Sequence, residues 1–134
     1  MAVQDTSEDR LLLRVACGPL AGPIVARVVG IAAARADLPV DRVEQALQVA
    51  DAVTSEVAGL LVGDRLEIAI DQQDAGIRMH VAPLRSDGAR RLAEEAANGS
   101  VIGMFATWTG VEVRDDRSEA LIIDIGSFAR DGGR

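Results

Sequence analysis

The chain has 134 residues, 49% of them hydrophobic, which fits one domain able to bury a core of its own. Its net charge is −7, with 21 acidic residues against 14 basic ones, all arginine, and this disfavours nucleic acid as a direct partner because phosphate contacts need a basic surface. A single cysteine, Cys17, excludes an internal disulfide, and aromatics at 2% with no tyrosine leave neither a base-stacking platform nor an aromatic cage.

Residues 1–9 are polar and acidic. They lack a basic segment followed by an apolar run, so they read as a disordered leader and not as a signal peptide. Arg10–Ala16 reads as a strand, broken by Gly18 and Pro19. Ile24 to about Ala36 reads as a helix, with Pro23 tolerated at its start and Val25, Val28, Val29 and Ala32 as its apolar stripe. Arg27 and Arg35 interrupt this longest apolar stretch, so no membrane span is expected and the protein reads as cytoplasmic.

A second helix is expected from Pro39 or Asp41, where Asp41 and Glu44 form a capping-box-like pair, to a stop at Gly63. Its apolar stripe is Val40, Val43, Leu47, Ala50, Val53, Val57 and Leu61. Its opposite face carries Glu44, Gln48, Asp51 and Ser55. Leu66, Ile68 and Ile70 then alternate with Glu67, Ala69 and Asp71. After a turn at 72–76, Ile77, Met79 and Val81 alternate with Arg78, His80 and Ala82, giving a hairpin of half-buried strands.

Pro83–Gly88 reads as a loop, 89–97 as helical or mobile, and Val101–Thr107 as a helix. Val111–Val113 and Ala120–Ile125 form a closing hairpin, and 127–134 a disordered tail. The order is that of an α+β protein, a two-layer α/β sandwich with a mixed, mostly antiparallel sheet and one domain over residues 10–126.

No glycine-rich phosphate loop of the P-loop or dinucleotide type is present. His80 lies mid-strand on the polar face and reads as a surface histidine. Cys17, with no second cysteine or nearby histidine, reads as a small buried hydrophobe. Asp51 with Ser55 is the one constellation able to carry chemistry, and a solvated helix face is the other reading of the pair. The acidic charge has two readings as well: attraction of a basic partner surface, or solubility alone.

The segment LPVDRVEQALQVADAVTSEVAGLL, followed by DRLEIAIDQQ and IRMHVAP, resembles the ATPase domain of anti-sigma factors that double as serine-protein kinases. These belong to the GHKL, or Bergerat-type, histidine-kinase-like ATPases. The resemblance covers about residues 10–126. It implies an acidic base at Asp51 and a magnesium ligand four residues later, where this chain has Ser55 in place of asparagine. It implies an adenine-reading aspartate where this chain has Ala82 or Pro83, with Asp87–Gly88 as a displaced remnant. It implies a second glycine-rich box at Asn98, Gly99 and Ser100.

These departures describe a decayed nucleotide site with no cofactor expected, ATP and magnesium belonging only to the alternative of an active kinase. The resemblance therefore implies a regulator that sequesters a sigma factor and switches partners with a STAS-domain anti-anti-sigma protein, as a homodimer. The alternatives are a serine kinase acting on the STAS partner and a non-catalytic dimerisation subunit. Arg14, Arg27 and Arg35 are the expected partner-binding residues, because guanidiniums suit bidentate contact with carboxylates. The other reading is that they are solvated or pair with acidic residues of the same chain.

Overall fold

The computed structural model describes residues 2–7 and 10–128. Its elements run β1 (Ala2–Ser7), β2 (Arg10–Ala16), α1 (Ala21–Arg35), α2 (Val40–Glu56), β3 (Arg65–Gln73), β4 (Gly76–Leu84), α3 (Gly88–Ala97), α4 (Val101–Phe105), β5 (Trp108–Val113) and β6 (Glu119–Gly126). The six strands make one sheet in the order β1-β2-β3-β4-β6-β5. Every neighbouring pair in it is antiparallel, where a mixed, mostly antiparallel sheet was expected.

Period-two alternation splits each inner strand into a core face and an open face. Leu11, Leu13 and Val15 of β2, Leu66, Ile68 and Ile70 of β3, Ile77, Met79 and Val81 of β4, and Leu121, Ile123 and Ile125 of β6 are all buried in one cluster. Val25, Val28, Val29 and Ala32 of α1 join them, as their spacing predicts. Fully burying each valine, leucine, isoleucine or methionine among them stabilises the fold by about 1.5–3 kcal/mol. Helices therefore cover one face of the sheet, and the other carries Arg10, Arg14, Glu67, Asp71, Arg78, His80 and Asp124 around a small cluster of Ala82, Ala120 and Ile122.

Several boundaries differ from the sequence reading. Ala2–Ser7, expected within a disordered leader, pairs with β2 over Asp5↔Leu11 to Ala2↔Arg14. Helix α2 ends at Glu56, not near Gly63. Val57 and Leu61 are still buried, but Leu61 reaches the core from a turn, through a bridge to Leu84. The Asp41–Glu44 capping box does not form: Pro39 occupies the cap position without a side-chain cap, and Asp41 stands in the first turn.

The buried side of α2 is Ala46, Val49, Ala50 and Val53, while Val43 and Leu47 are only half-buried and Val40, in the first turn, is exposed. Strand β4 continues through Pro83 to Leu84, so the expected loop is shorter, and α4 stops at Phe105. At the start of the expected tail, Ser127 N donates to Ala75 O at 2.9 Å. That approach requires glycine at 76, where a Cβ would collide with the Ser127 carbonyl. Residues 129–134 of that tail lie outside the described residues.

Candidate functional site

Asp51 is exposed on α2 and lines an open cavity of about 390 Å³ with Leu47, Gln48, Ala52 and Val101. Ser55, one turn on, is exposed and does not line that cavity. The hydroxyl between them, Thr54 Oγ1, is turned back onto its own helix and donates to Asp51 O at 2.9 Å. Of the residues expected to form a nucleotide site, Asp51 alone lines this space.

Ala82 is on the wrong side of the sheet for such a site. It is 5% exposed and packs with Ala120 and Ile122 on the open face, because alternation sends Val81 to the helices, and a break in the β4–β6 register after Val81 brings Leu84 to that side as well. Asp87, expected as a displaced remnant, does not line the cavity beside Asp51. It stands in left-handed backbone at φ 68 before α3, and its exposed carboxylate pairs with Arg90 at 3.3 Å. Asn98 caps the C-terminus of α3, and Gly99 at φ 96 turns the chain into α4. Ser100 caps α4, its Oγ accepting from Gly103 N at 3.4 Å. All three serve the helix junction.

A carboxylate already engages the N-terminal amides of α3. Glu119, 7% exposed, accepts from Asp87 N at 2.8 Å and Ala89 N at 2.9 Å, with Arg90 N at 3.4 Å. The first N–H groups of a helix have no intrahelical acceptor and favour an anion. Here the anion comes from β6. This donor set does not fit a nucleotide–magnesium complex: the adenine position faces away, the magnesium position is a serine outside the cavity, and the α3 amides are satisfied internally.

The three expected partner-binding arginines are not brought together. Arg27 and Arg35 are exposed on α1, with Ile31, 45% exposed, midway between them. Arg14 projects from the open sheet face, where its Nε lies 3.3 Å from Glu67 Oε2.

That open face carries three ionic groupings, of which the sequence reading offered only the pairing of Arg14 with an acidic residue of the same chain. Arg14 and Arg114 approach Glu67 from two sides, at 3.3 and 3.6 Å. Arg78 makes two bonds to Asp124, at 2.7 and 2.9 Å, with its guanidinium 5.4 Å from the Trp108 ring centroid and 4.5 Å from that of Phe128. Asp71 meets His80 at 2.9 Å and Arg10 at 3.2 Å. Burial works to raise the Asp71 carboxyl, but the His80 hydrogen bond and the charges of Arg10, His80 and Arg78 hold it below the ordinary aspartate value. The cavity here, about 300 Å³, is floored by Ala69, Ala82 and Ala120. On the helix side, desolvation and then the charge of Glu95 push the Glu56 carboxyl up.

The signal for these groups was strand alternation. Glu119 shares parity with Leu121, Ile123 and Ile125, which places it on the core face. Arg14 has the opposite parity from Leu13 and Val15, which places it away from α1.

Among the described residues, no three His, Cys, Asp or Glu side chains come together as a metal site, and no helix is long and apolar enough to cross a membrane. No known family profile matches the chain, and no curated protein matches it.

Proposed function

We propose that this chain is a non-catalytic, protein-binding regulator of the anti-sigma type, a GHKL-like sandwich that sequesters a sigma factor and yields it to a STAS-domain competitor. The observation that carries the reading is Glu119 seated on the α3 amides, together with Ala82 facing away from Asp51. A binding module needs its surfaces and not a nucleotide, and the element order and two-layer arrangement agree with what the resemblance implies. Arg27, Ile31 and Arg35 recur at four-residue steps on the exposed side of α1, pairing apolar surface with guanidiniums suited to carboxylates. Arg14 belongs to a separate surface and is not part of this one.

Titration calorimetry with ATP and magnesium is expected to show no binding tighter than about 100 μM, since lost polar contacts cost on the order of 1–3 kcal/mol each. A sigma factor is expected to co-purify from native lysate, and Arg27→Glu with Arg35→Glu should weaken that capture about tenfold or more with little change in Tm. Capture of no sigma factor by the unaltered protein would overturn the assignment. The observation favouring the serine-kinase alternative is the cavity beside Asp51. Low-micromolar ATP affinity would establish nucleotide binding and favour that reading.

A further inference from the structure

Five strands contribute one row of side chains to the open sheet face. Arg14 of β2 stands opposite Glu67 of β3, and Glu67 stands opposite Ala82 of β4. Ala82 packs with Ala120 of β6, which stands opposite Glu112 of β5. The row is therefore low in its middle and carries long charged side chains at its ends. The cavity of about 300 Å³ described above sits over that low middle. Small-molecule sites begin at about this volume.

The two walls of the cavity differ. On the β2 side, Arg10 meets Asp71 through Nε at 3.2 Å, and Arg14 donates from Nε to Glu67 at 3.3 Å. A guanidinium carries five N–H donors, so most of the donors on this wall remain for a ligand. On the β5 side, Glu112 is exposed and, among the described residues, has no ion pair. Arg114, two residues on, is engaged with Glu67 at 3.6 Å.

The charge balance identifies the occupant. Arg10, Arg14 and Arg114 stand against Glu67, Glu112 and the neighbouring Asp71, three cations against three anions. Such a balance favours neither a plain anion nor a plain cation. It suits a molecule that carries both charges at separated ends. The floor of Ala69, Ala82 and Ala120 sets the stem between them. Alanine side chains offer no polar group, so a peptide stem would give up its hydrogen bonds to water there and an alkyl stem would not.

We propose that this cavity binds a small zwitterion with an alkyl stem, its carboxylate held by Arg10 and Arg14 and its ammonium beside Glu112. The walls are four strand spacings apart, about 19 Å at the level of the Cα atoms. Both reach inward over the floor, so a straight-chain ω-amino acid spans the remainder. The site lies on the opposite face of the sheet from α1 and from the Asp51 cavity, and it does not rest on the anti-sigma reading.

Amide NMR titration of the unaltered, isotope-labelled protein with aminocaproate tests this, against caproate and hexylamine, which each keep one of the two charges. Aminocaproate is expected to give saturable shifts centred on Ala69, Ala82 and Ala120. Each control should bind about tenfold more weakly, having lost one charge-assisted contact. Glu112→Gln, at an exposed position without an ion pair, should leave Tm nearly unchanged. It should also abolish the preference for aminocaproate over caproate while leaving caproate binding as it was. No saturable shift at tens of millimolar aminocaproate, shifts centred elsewhere, or equal binding of either control would each overturn the proposal. Retention of the full preference by Glu112→Gln would overturn it as well.

Discussion

Truncating Glu119 to alanine removes the acceptor from the α3 amides. Ala89 N is then buried with no partner, at a cost of about 1–3 kcal/mol. Asp87 N, only part-buried, can recruit water and loses less. Removing the negative charge from a helix N-terminus costs about 0.3–1 kcal/mol more. Together these give about 2–4 kcal/mol, which at this chain length lowers Tm by about 10 °C. Glu119→Gln keeps one carbonyl acceptor but turns an NH2 toward a donor, so about half of that loss is expected. Thermal and guanidinium unfolding followed by circular dichroism give the stability change. Amide hydrogen exchange should show the first turn of α3 opening faster, with β2 and β3 exchange limited only by the lowered global stability. A Glu119→Ala protein within about 0.5 kcal/mol of the parent, or one whose α3 amides exchange no faster, would refute the assignment of Glu119 as the cap of α3.

Truncations should separate the sheet core from the rim of α2: Leu13→Ala, at a fully buried position in β2, is expected to cost about 2–5 kcal/mol, and Leu47→Ala, half-buried at the rim of the Asp51 cavity, under about 2 kcal/mol by chemical denaturation. Gln72 is 6% exposed with neither amide atom hydrogen-bonded, so Gln72→Met should raise stability by about 1 kcal/mol in the same assay. Asp71 has a folded-state pKa below its unfolded value, so its contribution is complete above the unfolded value and is lost as pH falls through the folded one. Asp71→Asn should therefore lower stability at neutral pH and flatten the acid limb below about pH 4, read as Tm against pH.

The β3–β4 hairpin was legible because its two faces meet different solvents, so every second residue is apolar. Helix α2 was legible in its existence and not in its end. Val57 and Leu61 continue its apolar period, yet they are buried from a cap and a turn, and periodicity does not distinguish these from a further helical turn. Strand β1 was illegible because AVQDTS carries no strong alternation and pairs on one side only, so β2 supplies what its own sequence lacks. Arg14, Arg27 and Arg35 were grouped by residue type. Only the placement of α1 on the Leu13 face reveals that the sheet lies between Arg14 and the other two.

Trp108 is the only tryptophan in a chain without tyrosine, and it stands 38% exposed at the start of β5, its ring covering Gly110 and facing the Arg78 guanidinium. Ultraviolet emission from this protein is consequently a single-address signal. It reports on the sheet edge and the Arg78–Asp124 pair. A ligand entering beside Asp51, on the helix layer, should leave the spectrum essentially unchanged. A molecule seated on the open sheet face beside Arg78 would change the polarity around the indole and shift its colour. The two surfaces can thus be read apart in the unlabelled protein by light alone.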